Sequence, residues 1–424
     1  NLLLERQDWA GAAKALDRLA AKQPKLPLPL YLRGQLASLQ KKPDVARHHW
    51  QAALVLAPAY LPAADGLASL DAQDGRFADA IARYEALLKT DPASAHAWMM
   101  LAAMKVKAGA DPGSVTGLLE KAIQADPADP LARVALIDHL TALGERRQAI
   151  TVAQTALTAL PDAAEILDSQ GRLFMANGNP EQALANFTRL AAKSPRSAKA
   201  YLQMADAQIA SGKVTSANDS VRRAVELEPD ALPVQRAAIG LAMREKKPAQ
   251  ALDLARKVQR QRPRDATGFI FEGDIAAAQQ QWPAAEAAYR AALTRPNPGT
   301  AAMRLHLTLI NAGQARPAED FARAWLKAHP GDVDLRFQLG DVAHLQGAWA
   351  VAEDHYRAVL AKRADHALAM NNLADTLLRQ RKPGALALAE KLLDTQAQQA
   401  GTVRLSASQP VACYLLPPVL ARMR

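Results

Sequence analysis

The sequence predicts an all-α protein, a solenoid of antiparallel helix pairs wound into a right-handed superhelix. Two observations predict it. A proline returns at a nearly constant interval: Pro24, Pro58, Pro92, Pro127, Pro161, Pro195, Pro229 and Pro263 are 34 or 35 residues apart, the mark slips to Pro296, and it returns at Pro330, with Ala364 in the next slot. The composition is also that of helix: half of the 424 residues are hydrophobic but only 5% are aromatic, so the apolar content is mostly Ala and Leu, with few β-branched residues to favour strands.

Other residues keep phase with the proline, each for a physical reason. Small residues stand 24 positions before it (Gly34, Ala68, Gly171, Ala205, Gly340), where two antiparallel helices approach closely. A mid-repeat glycine (Gly75, Gly109, Gly144, Gly178, Gly212, Gly313, Gly347) ends the first helix in the left-handed conformation that glycine adopts at least cost. Alanine stands 12 positions before the proline (Ala46, Ala80, Ala149, Ala183, Ala217, Ala251, Ala318, Ala352). Eight before it, Trp50, Tyr84, Phe187 and Tyr356 fill the space between neighbouring repeats. The proline then stops the second helix.

Four segments follow from this register. Residues 1–24 form a partial repeat, mainly a second helix; residues 25–364 form ten consecutive repeats; residues 365–395 are a degraded eleventh; and residues 396–424 are a non-repeat tail, because Val411 to Pro418 cannot continue a helical repeat. A solenoid needs a polar cap over its terminal apolar face. None precedes Leu2-Leu3-Leu4, which predicts missing upstream residues and a fraying N-terminus.

Signals for catalysis are absent. No phosphate-cradling loop, nucleophile elbow or helical zinc motif occurs. His344, His355 and His366 are evenly spaced but fall on a first helix, a second helix and a linker, so they need not converge. The single cysteine, Cys413, excludes an internal disulfide framework and any multi-cysteine metal site. No apolar run approaches 18 residues, which excludes a membrane-spanning helix. The expectation is a non-enzyme with no cofactor and no metal.

Over residues 1–395 these marks resemble the tetratricopeptide repeat. The resemblance implies a concave groove lined by the first helix of each repeat, at repeat positions 2, 5, 9 and 12. On that reading Met99, Val134, Leu202, Ile270, Met303 and Phe337 give the groove an apolar lining, while Asp138, Asp206, Asp274, Asp341 and Asp375 form an intermittent acidic rung. Soft methionines suit an adaptable site for a protein or peptide partner. The alternative is that these side chains pack against neighbouring helices and the aspartates only solvate the surface. Chaperone-binding members of the family clamp a carboxylate with Lys at position 5 and Asn at position 9; no repeat here has that pair, which disfavours such a role.

A narrower resemblance rests on Ala251 to Arg256, Phe271 to Ile275, Pro296-Asn297-Pro298, Ala315 to Asp332 and Met370 to Ala374. These stretches are similar to the bacterial repeat lipoproteins of the PEP-CTERM/exosortase system, encoded beside exopolysaccharide genes. That implies a scaffold for polysaccharide export or protein sorting in the cell envelope, periplasmic or anchored to the outer membrane. The rival readings are a generic adaptor or assembly factor in cytoplasm or periplasm, or the repeat region of a larger enzyme such as a glycosyltransferase.

The net charge of +10 has one patterned component. Lys121, Arg189, Arg222, Arg223, Arg256, Lys257, Arg290, Arg323, Arg357 and Lys391 fall at positions 25 and 26 of successive repeats, on the second helix. Stacked, they predict a basic stripe outside the groove. It is either a solvated face or a dock for anionic polysaccharide or a membrane surface; nucleic acid is disfavoured because no aromatics interleave with the cations.

Overall fold

A computed structural model describes residues 8–296, 298 and 300–400 of the protein. Among them are 23 α-helices and no strand. They fall into two compact units divided after Gly178.

The first unit begins with α1 (Trp9–Lys22) and continues as helix hairpins: α2 (Leu28–Leu39) with α3 (Pro43–Leu56), α4 (Leu61–Gln73) with α5 (Phe77–Thr90), α6 (Ala95–Lys107) with α7 (Pro112–Ala125), and α8 (Pro130–Ala142) with α9 (Arg146–Ala159). It closes on α10 (Ala164–Ala176). The second unit opens on α11 (Pro180–Lys193). Its hairpins are α12 (Ala198–Ala210) with α13 (Val214–Leu227), α14 (Leu232–Arg244) with α15 (Pro248–Gln261), and α16 (Thr267–Ala278) with α17 (Trp282–Leu293). They continue through α18 (Ala301–Asn311) with α19 (Ala315–Ala328), α20 (Val333–Leu345) with α21 (Trp349–Lys362), and α22 (Ala367–Arg379) with α23 (Ala385–Ala400). In each unit the second helix of one hairpin packs on the first helix of the next, except that α19 and α20 make little direct contact and α20 leans instead on α18. That neighbour-only packing is an α-solenoid.

The seven mid-repeat glycines all have φ between +71° and +76°, just past the first helix. Four repeats lack the glycine and still make the same turn, with Lys41, Lys246, Gln280 and Arg381 at φ +56° to +58°. The hairpin therefore imposes a left-handed residue whatever the side chain, at roughly 1 kcal/mol wherever a β-carbon is present.

The in-phase alanines form the inner seam. Ala46, Ala80, Ala149, Ala183, Ala217, Ala251, Ala318 and Ala352 are each 0% exposed. Beside them the small and aromatic positions interlock. An added β-carbon would lie 2.3 Å from Trp50 at Gly34, 2.4 Å from the Tyr289 ring at Gly273, and 2.6 Å from the Tyr356 ring at Gly340. The aromatic thus lies between the first helix of its own hairpin and that of the next repeat: Trp50 also abuts Gly66, where an added β-carbon would lie 2.7 Å from its ring, and Tyr84 and Tyr356 share clusters with Leu101 and Leu373. Three repeats reverse the sizes, pairing Ile137 with Ala153, Ile239 with Ala255 and His306 with Ala322, all buried.

At the C-terminal end α23 continues to Ala400, past the boundary expected at 395, and Leu392 is buried in it. The rest of the expected tail, Cys413 included, lies outside the described residues, as do Leu2 to Leu4.

Candidate functional site

In each unit the candidate groove face is built by the first helices: α2, α4, α6, α8 and α10 in the first, and α12, α14, α16, α18, α20 and α22 in the second. Its apolar candidates Met99, Val134, Leu202, Ile270, Met303 and Phe337 are all half-buried. Most lean on core clusters beneath them: Met99 and Val134 share one, Leu202 packs with Val234, and Phe337 packs beside Tyr356.

Four of the five candidate aspartates are occupied by bonds to the first helix of the neighbouring repeat. Asp138 accepts from Ser169 Oγ at 2.8 Å and pairs with Arg172 at 3.2 Å. Asp274 is held by the Arg304 guanidinium and by the Tyr289 hydroxyl at 2.7 Å. Asp341 accepts from Tyr356 at 2.7 Å and from Asn372 at 2.9 Å. Asp375 lies 3.2 Å from His344 Nε2 and 2.8 Å from Arg379. Asp65 belongs to the same pattern, with Tyr84 at 2.8 Å and His96 at 3.0 Å. These carboxylates tie one repeat to another. Burial and the adjoining carboxylate push the Tyr84, Tyr289 and Tyr356 phenols well above their ordinary range, so each stays a donor.

Asp206 breaks the series. The positions that carry its bonding partners in other repeats are filled by Ala237 and Gly240, which have nothing to donate from a side chain. In their place is an open cavity of about 430 Å³, lined by Asp206, Leu202, Ile209, Leu232, Arg236 and Arg244 among others. Burial raises the Asp206 carboxyl above its ordinary pKa, and the Arg244 charge opposes that rise. Arg236 also sits over the Phe271 ring at 5.8 Å. A carboxylate, two guanidiniums and an apolar floor therefore share one recess, of the size and lining that small ligands or anchoring side chains occupy.

Residues 66–130, 237–301 and 303–365 match one family model described as Tetratricopeptide repeat, and residues 174–239 match a second with the same description. Together they cover more than half of the chain. The protein is a tetratricopeptide-repeat protein.

No curated protein matches it in sequence. Among solved structures, a tetratricopeptide repeat protein from Parabacteroides merdae is 19% identical, aligned over 57% of this chain and 96% of its own, with a TM-score of 0.42. The APC/C hetero-tetramer Cut9–Hcn1 is 16% identical over 88% of this chain and 82% of its own, with a TM-score of 0.37. YrrB, titled a TPR protein with an unusual peptide-binding site, is 19% identical over 45% and 97%, with a TM-score of 0.32. Tetratricopeptide repeats as a class serve as protein-interaction scaffolds and are typically non-catalytic.

The basic stripe of this repeat protein is largely neutralised. Arg222 bonds Asp219 at 2.7 Å and also Glu245; Arg223 bonds Glu226 at 2.6 Å; Lys257 bonds Asp230 at 2.9 Å. Arg290 and Arg357 pair within their own helices at 2.8 Å, and Arg256 and Arg323 have carboxylates at 3.6 Å. Lys121 lies over Trp98. Most of these cations have a counter-charge before any ligand arrives, which favours the solvated-face reading.

The three spaced histidines do not gather: His344 bonds Thr376 and Asp375, His366 caps α22, and His355 lines a different recess. No cluster of three or more His, Cys, Asp or Glu among the described residues could hold a metal, and no helix among them is long and apolar enough to cross a membrane. Sequence reasoning missed Arg244 and Gly240. The available signal was the loss of a polar residue at positions 6 and 9 of the repeat after Asp206.

Proposed function

We propose that the groove of the second unit captures a segment of a protein partner at the Asp206 cavity, making this chain a non-catalytic docking scaffold. The observation that supports it is the interrupted aspartate ladder. At this rung alone among the five candidates, no side-chain hydrogen bond or ion pair among the described residues holds the carboxylate, and the space is left open between Leu202, Ile209 and Leu232. The recess suits an apolar anchor flanked by an acidic residue. The anchor enters the floor, the acid meets Arg236 or Arg244, and Asp206 accepts a peptide N–H.

Peptides selected against the purified chain from a random library provide the test. Gly240→Leu, which fills the recess, and Arg236→Glu, which reverses its rim, should each weaken the selected peptides at least about tenfold, the equivalent of about 1.4 kcal/mol, without changing the helical circular dichroism. Selected peptides that bind both variants as well as the parent would refute the groove reading. The cell-envelope setting rests on the resemblance of the C-terminal half to the exosortase-system lipoproteins. A lipobox cysteine encoded upstream would support it, and a catalytic domain there would favour the glycosyltransferase reading.

A further inference from the structure

The reversed pair His306–Ala322 has a consequence away from the groove. Where Gly340 faces Tyr356, the ring fills the space between the helices; where Ala322 takes the ring's place, the space is not filled. An open cavity of about 690 Å³ lies there, between α18, α19, α20 and α21. Its α20 residues include Arg336, Leu339, Val342 and Gln346. The groove positions of the same helix are Asp334, Phe337, Asp341 and His344. At 100° per residue the two sets point about 180° apart. This recess is therefore separate from the partner groove.

Its chemistry is amphipathic. Ile310, Leu326, Leu339, Val342 and Val351 give an apolar floor. Arg323, Lys327 and Arg336 face it with Glu319 as the one carboxylate. Arg323 has Asp320 at 3.6 Å, whereas no ion pair among the described residues occupies Lys327, Arg336 or Glu319. His306 lines the cavity although it is only 2% exposed. Gln338 Nε2 donates both to Met303 O at 3.1 Å and to His306 Nδ1 at 3.0 Å. This leaves the proton of the neutral ring on Nε2, as a fixed donor. Burial and the neighbouring His355 keep His306 below its ordinary pKa, and His355 in turn feels burial and Arg336.

We propose that this cavity binds an amphipathic anion, a carboxylate on an aliphatic body, with the carboxylate held by Arg336 and the His306 N–H and the chain laid over the Ile310–Leu339 floor. The volume is in the range of pockets that enclose small organic ligands, and the excess of cations over Glu319 selects the charge.

Octanoate, titrated calorimetrically into the full chain with octylamine as the cationic control, tests this. Octanoate should bind at one site, octylamine at least tenfold more weakly, and Arg336→Gln should cost octanoate at least tenfold. The double variant His306→Gly with Ala322→Tyr restores the size pair of Gly340 and Tyr356. It should abolish octanoate binding while keeping the helical circular dichroism. Absence of octanoate binding to the parent, equal binding of octylamine, or undiminished octanoate binding by Arg336→Gln or by a folded double variant would each overturn the proposal.

Discussion

Gly340 and Tyr356 are fitted to each other: a β-carbon on Gly340 would lie 2.6 Å from the tyrosine ring, while the hydroxyl of that ring donates to Asp341, the next residue along, at 2.7 Å. One side chain thus sets helix spacing and aims a groove carboxylate. Gly273, Tyr289 and Asp274 repeat the arrangement.

The fit predicts opposite signs for one substitution at different helical glycines. Gly340→Ala and Gly273→Ala should destabilise by about 1–3 kcal/mol, because a buried ring has to shift. Gly240→Ala should stabilise by up to about 1 kcal/mol, since its β-carbon would meet only Arg244 at an ordinary 3.5 Å and alanine is the better helix former. Urea midpoints of the three variants decide it. A loss at Gly240 as large as at Gly340 would show that the groove recess is not open.

A second prediction concerns the left-handed turns. Gln280→Gly and Lys246→Gly should each stabilise by about 0.5–1 kcal/mol, because φ near +57° strains a side chain and not a glycine. Gly212→Ala should cost a similar amount. Nothing packs within 4 Å of that site, so the effect would be purely conformational.

Asp71 carries the pH prediction. It is 1% exposed and is bonded by Arg47 and Arg83 at 2.6 Å and by Arg76 at 3.0 Å. Burial pushes its carboxyl up, but the hydrogen bonds from Arg83 and Arg47 outweigh this, and the net shift is below the ordinary 3.8. A depressed folded pKa contributes stability that is complete above 3.8 and is lost as pH falls through the folded value. Asp71→Asn should therefore cost about 2–4 kcal/mol at neutral pH, less than a fully enclosed pair because the guanidiniums still reach water. The cost should shrink toward zero as parent and variant are both taken well below pH 3.8. A cost independent of pH would contradict the ion-pair account.

The helix pairs, their turns and their inner alanines were legible in the sequence because each is a local rule repeated in phase. Glycine past the first helix and alanine at the seam recur often enough to expose the period. The two recesses were not legible, because each depends on a pair of residues rather than on one. His306 occupies a slot that small residues fill in other repeats, and only with Ala322, sixteen positions later, does it become an exchange of volumes. Asp206 read as one aspartate among five. Its difference lies in Ala237 and Gly240 on the next first helix. The stripe misled in the opposite sense: cations at one repeat position are visible along the chain, while their carboxylates, such as Glu245 and Asp230, come from other helices or other turns.

The central claim is that partner binding occurs where the inter-repeat ladder is interrupted. Hydrogen–deuterium exchange of the full chain, with and without a saturating selected peptide, tests it most directly. Protection should rise most in α12 and α14, Ala198–Ala210 and Leu232–Arg244, whose facing positions frame Asp206. Protection concentrated instead in the first unit, or along the second helices that carry Arg222, Arg256 and Arg290, with α12 and α14 unchanged, would contradict it.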